Sequence, residues 1–205
     1  MKVGVLASGE GTNLQALLDT VHGREVEVVA VASDQKAAPA LRRAEAAGVP
    51  ARVFLRSDYG ERAARDAAIA DWLVGEGVEL VVLAGYMAIL DASFVARFRD
   101  RIVNVHPSLL PAFPGVRAIE QALDHGVKVF GVTVHLVDEG VDTGPIVLQR
   151  AVELPDARDR ADVHERLRPL EHDLLPRAVA LLAAGRVRRD PDHPRRVIVS
   201  EGEGA

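Results

Sequence analysis

Apolar runs alternate with amphipathic stretches along most of the chain. Short runs rich in Val, Ile, Leu and Ala at residues 2–7, 26–32, 51–55, 80–84 and 102–105 predict strands. Between them, residues 13–21, 39–47, 59–75 and 92–98 read as helices. This β-α-β-α order predicts an α/β fold, a single Rossmann-like domain with a mostly parallel twisted sheet and helices on both faces. After His106 the pattern changes. Pro111, Pro114 and Gly115 mark a loop, 117–123 a short helix, and 127–137 and 146–152 two strands joined by a turn-rich segment. They predict a C-terminal mixed or antiparallel part. A long helix over 161–184 carries Leu167, Leu174, Leu175, Ala178 and Leu182 on its apolar face. Pro169 and Pro176 predict that it kinks or splits, since an interior proline costs about 3 kcal/mol. The domain is expected to span residues 1–185. Residues 186–205, rich in Arg, Asp, Pro and Gly, are expected to form a weakly ordered tail with one strand at 196–199.

A chain of 205 residues is long enough for one such domain and its core. Hydrophobic residues make up 48% and aromatics 4%, a balance that suits buried parallel strands and stacked helices. The formal net charge of -5 disfavours nonspecific nucleic-acid binding. The absence of cysteine excludes a disulfide scaffold, thiolate zinc sites and a thiol nucleophile, and fits a cytoplasmic enzyme. The N-terminus runs straight into a strand, so no signal peptide is expected. No apolar run reaches membrane-spanning length.

The densest chemistry lies in Arg101-Ile-Val-Asn-Val-His-Pro-Ser-Leu-Leu-Pro111. Asn104 and His106 are two apart on a strand and share a face. Pro107 ends the strand, which leaves an amide and an imidazole at the sheet's mouth. The amide can donate to a developing oxyanion and the imidazole can move a proton near neutral pH, the two needs of acyl transfer. A second segment, Ser8-Gly-Glu-Gly-Thr-Asn13, lies between the first strand and its helix. It reads either as an anion-binding turn at a helix N-terminus or as a tight turn with Thr12 or Asn13 as helix cap. The third glycine of a dinucleotide fingerprint would fall at Leu14, so a phosphate monoester fits better than a pyrophosphate. A third segment, Asp138-Glu-Gly-Val-Asp-Thr-Gly-Pro145, places Asp142 where it can hold His106 as imidazolium or order a water beside it. His135 alternates with Thr133 on a strand, which can set it beside the Asn104 and His106 face, and a structural histidine is the role expected of it. Glu171 falls on or beside the long helix's apolar stripe, as an edge residue or as a partner for a cation. No recognised metal-ligand spacing links His106, His135 and Asp142, so no metal is expected.

These segments, with Leu83-Ala-Gly-Tyr-Met-Ala-Ile-Leu90 and Glu171-His172, resemble the folate-dependent formyltransferases of the glycinamide ribonucleotide type. The resemblance runs from Val3 to about Gly185. It implies transfer of a formyl group from 10-formyltetrahydrofolate, as co-substrate, to the amine of glycinamide ribonucleotide in purine synthesis. It implies that Gly11, Thr12 and Asn13 hold the ribonucleotide phosphate, that Glu171 grips the glycinamide, and that Asn104, His106 and Asp142 are catalytic. Met87, Ala88, Ile89 and Leu90, with Asn104 and Asp138, Glu139, Gly140 and Val141, would meet the folate, and Arg62 would lie near it. The family carries Arg where this chain has Ala88, so a side-chain contact is lost there while backbone contacts survive.

Related activities make other expectations. Methionyl-tRNA formyltransferase shares the His-Pro-Ser-Leu-Leu-Pro segment but normally adds a tRNA-binding domain. Formyltetrahydrofolate deformylase normally has a regulatory domain before the first strand. Neither extra region is expected here, and the protein is expected to act on small molecules, as monomer or homodimer, without nucleic acid or membrane. A catalytically inactive folate or nucleotide module is a weaker alternative, opposed by the intact Asn104, His106 and Asp142. Leu110-Pro111 lies in a compact loop beside these residues, where a cis bond would set the chain direction.

Overall fold

The computed structural model describes residues 1–200. In chain order its elements are β1 (Lys2–Leu6), α1 (Thr12–Thr20), β2 (Glu27–Ser33), α2 (Pro39–Ala46), β3 (Ala51–Val53), α3 (Arg62–Gly75), β4 (Leu80–Leu83), α4 (Ala92–Arg97) and β5 (Ile102–His106). There follow α5 (Ala118–Asp124), β6 (Val129–Leu136), β7 (Ile146–Glu153), α6 (Arg160–Ala183), β8 (Val187–Arg189) and β9 (Val197–Val199). The first seven strands form one sheet in the order β3-β2-β1-β4-β5-β6-β7. The pairs β1–β2, β1–β4, β2–β3 and β4–β5 are parallel, and β6–β7 is antiparallel. The predicted α/β class, its mostly parallel sheet and its antiparallel C-terminal part are thus present.

Two units separate along the chain, Met1–Asn104 and a second beginning at Val105. In the first, β1 and β4 are central, and Val3, Val5, Leu6, Val81 and Val82 are fully or almost fully buried. Near-continuous apolar strands are what a parallel sheet covered on both faces requires. Leu14, Leu17, Ile69 and Leu73 from α1 and α3 are likewise buried. The helix predicted over 59–75 begins later, at Arg62, after a short 3₁₀ turn at Arg56–Asp58. Glu61 caps it in an extended conformation.

In the second unit, α6 packs on β6 and β7. Leu167, Leu174, Leu175, Ala178 and Val179 are its buried face, and Val132 and Val134 of β6 are buried as well. The expected break is absent, because α6 runs unbroken through Pro169 and Pro176. Each proline removes one helical N–H, and burial of the surrounding apolar face outweighs that loss. The predicted tail also needs correction. Val187–Arg189 pairs antiparallel with Val197–Val199, so a hairpin forms where one strand was expected. Residues 201–205 lie outside the described part. Leu110–Pro111 is cis, as the loop position suggested.

The start of α6 offers a first expected result. The Asp159 carboxylate accepts from Asp162 N at 2.9 Å. Asp159→Ala should therefore cost about 1 kcal/mol, seen as a lower urea midpoint at unchanged slope.

Candidate active site

In the first unit, the glycine segment closes the β1–α1 turn. Gly11 is the N-cap of α1, with φ 70° and ψ 27°, so neither Thr12 nor Asn13 is the cap. Glycine is needed there twice over. The left-handed backbone favours it, and a Cβ would lie 2.7 Å from both Cα and Cβ of Ala40 at the start of α2. Arg43 of α2 holds the same turn, donating from Nε to the Glu10 carbonyl at 2.8 Å and from Nη1 to Gln15 Oε1 at 3.1 Å. The opening N–H groups of α1 have no acceptor within the helix, and its dipole favours an anion at this end. Thr12 is half-buried and Asn13 is buried.

The loop after β4 stands beside that turn. Ser8 Oγ accepts from Met87 N at 2.9 Å, and Ser8 N donates to the Gly85 carbonyl at 3.1 Å. A cleft of about 580 Å³ opens between this loop and α3. Its walls include Arg56, Tyr59, Arg62, Arg65, Met87, Ala88 and Ile89, so Arg62 and three of the four predicted loop residues come together. Leu90 is half-buried and lies outside those walls. Met87 and Ile89 are 62% and 61% exposed, so apolar surface faces the opening. Arg62 approaches Asp91 at 4.0 Å, with its side chain about half exposed.

In the second unit, the centre is the Asp142 carboxylate. Strand alternation puts Asn104 and His106 on one face of β5, half-buried and buried respectively. Asp142 Oδ2 lies 3.3 Å from His106 Nδ1, and Oδ1 lies 3.5 Å from His135 Nε2. Gly115 N donates to Oδ2 at 2.8 Å. The far nitrogen of each ring meets a backbone carbonyl at 2.9 Å: His106 Nε2 that of Phe113, His135 Nδ1 that of Leu136. A neutral ring can donate to one of its two acceptors, and an imidazolium to both. Burial alone would raise the Asp142 carboxyl. The hydrogen bonds from His135 and Gly115 and the charge of His106 overcome it and bring the carboxyl down to about 2. Asp142 is held in the left-handed region, φ 54°, as is Phe113, φ 53°. Strain of this kind persists where surrounding structure imposes it, and it gathers at functional sites.

The 138–145 loop is self-braced. Asp138 Oδ1 accepts from Gly140 N at 3.1 Å and from Thr143 Oγ1 at 2.6 Å. Asp138 is half-buried, and Glu139, Gly140 and Val141 are exposed. Glu171 is buried on α6.

His135, expected as a structural histidine beside the Asn104 and His106 face, shares Asp142 with His106. Two further contributors lie on the β6–β7 pair. Thr133 Oγ1 donates to the Ser108 carbonyl at 2.7 Å and accepts from Leu110 N at 3.1 Å. Gln149 Nε2 reaches the Leu110 carbonyl at 2.8 Å and Thr133 Oγ1 at 2.9 Å. Together they fix the loop that leaves His106. Only the polar Thr133 and Gln149, register partners in the β6–β7 pair, hinted at this. Among the described residues no group of three or more His, Asp or Glu side chains is placed to hold a metal ion.

The formyl transferase family profile matches residues 1–179. The chain is 44% identical over 192 residues to the trifunctional purine biosynthetic protein adenosine-3 of Drosophila pseudoobscura pseudoobscura. That match takes in 92% of this chain and 14% of that protein's length. It is 40% identical to phosphoribosylglycinamide formyltransferase of Haemophilus influenzae, covering 91% of this chain and 89% of that one. The crystal structure of glycinamide ribonucleotide transformylase 1 from Symbiobacterium toebii is similar with a TM-score of 0.93 and 46% identity, over 98% of this chain and 94% of that one. With the family profile over residues 1–179 and near-complete coverage of the Haemophilus influenzae relative and of a solved structure, the chain belongs to the formyl transferase family, among the phosphoribosylglycinamide formyltransferases.

Proposed function

We propose that this protein transfers the formyl group of 10-formyltetrahydrofolate to the amine of glycinamide ribonucleotide, a step of purine synthesis. Residues 1–185 form the catalytic domain, residues 186–205 are an appendage to it, and the reaction takes place in the cytoplasm. The observation that carries the reading is the Asp142 carboxylate set against two buried imidazoles, one of them at the end of the Asn104–His106 strand.

In this reading Gly11, Thr12 and Asn13 take the phosphate at the opening of α1. Glu171 binds the glycinamide. Met87, Ala88, Ile89 and Leu90, with Asn104 and Asp138, Glu139, Gly140 and Val141, meet the folate, and Arg62 lies near it. The amine attacks the formyl carbon, and the carbonyl pair of electrons moves onto oxygen. Asn104 and His106, as imidazolium, donate to that oxyanion. His106 Nδ1 is committed to Asp142, so Nε2 is the nitrogen the substrate oxygen can claim, in place of the Phe113 carbonyl. Asp142 supports the imidazolium and helps pass the amine proton, through water, to N10 of the leaving folate. When the tetrahedral species collapses, the bond from carbon to N10 breaks. No metal and no covalent enzyme intermediate take part.

The test is folate release from 10-formyltetrahydrofolate with and without glycinamide ribonucleotide. Release should require the ribonucleotide. Equal turnover in water alone would make the protein a deformylase, and transfer to charged initiator tRNA would make it the tRNA enzyme. Unchanged formyl folate with either acceptor would leave only a binding module.

A further inference from the structure

Between β4 and α4 the chain has no regular structure, yet its backbone is tied from below by an ion pair. Asp66 Oδ2 accepts from Asp91 N at 2.7 Å. Arg65 Nη2 reaches the Ile89 carbonyl at 3.4 Å, and Arg65 Nε donates to Asp66 Oδ1 at 2.7 Å. Both residues are buried on α3: Asp66 fully, and Arg65, 3% exposed, where it also forms part of the cleft wall. Removing two charges from water is expensive, and apolar residues of similar volume often serve stability as well or better. A buried pair here needs a reason other than packing.

Its geometry supplies one. The pair offers one carboxylate oxygen and one guanidinium N–H to two backbone groups two residues apart, at the C-terminal end of the Met87–Leu90 segment. Ser8 holds the other end through Met87 N and the Gly85 carbonyl. In between, Met87 and Ile89 are largely exposed. The segment therefore depends on these backbone ties for its shape more than on apolar packing of its own.

We propose that Arg65 and Asp66 are a positioning pair that presets the Met87–Leu90 loop, and so sets the affinity for formyl folate without touching the reacting atoms. This rests on the reading of that loop as the folate wall. A loop held in its binding shape spares the ligand the ordering that binding would otherwise require.

Steady-state kinetics on the full chain test it, with thermal unfolding alongside. Asp66→Ala should raise the KM for formyl folate by about 10-fold or more, with kcat and the ribonucleotide KM within about twofold. Asp66→Asn keeps an oxygen for Asp91 N and should recover most of that KM. The double variant Arg65→Met/Asp66→Leu removes the buried charges together, so it should regain thermal stability yet keep the raised folate KM. A folate KM restored along with stability in the double variant would show a merely structural pair and overturn the proposal. So would an equal rise in both KM values for Asp66→Ala. Met87→Asp separates the two readings. If it raises the folate KM while Asp66→Ala does not, the positioning role fails and the folate wall stands. If neither substitution moves that KM, both fail.

Discussion

Asp142→Asn is expected to lower kcat by about 100-fold or more and to change both substrate affinities far less. The carboxylate touches two imidazoles and a backbone N–H, and its carboxyl is depressed to about 2. An asparagine has the same shape but no charge, and its amide would point a donor at one of these donors. The imidazolium at His106 would lose its counter-charge, and the amine proton its route. His106→Ala should cost a similar factor. The double variant should lose less than the product of the two single losses, since the residues act as one unit. Multiplicative losses in folded protein would mean independent roles. The same carboxylate links stability to acid. Its folded value lies below the ordinary 3.8, so its contribution is complete above that value and is lost as pH falls through about 2. Wild type should therefore lose stability over that acid range by more than Asp142→Asn does, as urea midpoints across it will show.

Gly11→Val is expected to be the most damaging single change in the first unit. The φ of 70° is a position that a β-branched residue occupies only under strain, and the new Cβ would meet the backbone of Ala40. Strain of about 1–2 kcal/mol and overpacking of about 1–3 kcal/mol add to a large part of a domain's net stability of about 5–15 kcal/mol. A urea midpoint near wild type would contradict this. In the protein that does fold, the KM for the ribonucleotide should rise far more than that for the folate. The two readings of Gly11 in the sequence, structural turn and anion cradle, are thus compatible. The packing on Ala40 requires glycine whatever binds above it.

That glycine shows what a sequence can and cannot display. The strands are legible because Val, Ile and Leu fill β4 and make up most of β1 and β5, as buried parallel strands demand. Asn104 and His106 stood out because they interrupt such a run. What stayed hidden depends on the chain folding back on itself. Nothing local to Asp142 announces its left-handed backbone or that its loop folds back onto the second imidazole, His135 near the end of β6. Arg65-Asp66 reads as two ordinary polar residues of a helix, and only the loop above explains why they are buried. Pro169 and Pro176 argue against a continuous α6 by local propensity alone, and the buried apolar face that offsets them is a tertiary property. The β8–β9 hairpin was half seen because Val-Arg-Arg at 187–189 lacks the alternation that marks a strand.

The most direct measurement follows the carbon itself. With 10-formyltetrahydrofolate labelled with carbon-13 in the formyl group, product NMR in the presence of glycinamide ribonucleotide should place the label in a new formamide on the ribonucleotide, in step with release of tetrahydrofolate. Label appearing as free formate, with the ribonucleotide amine unchanged, would contradict the account.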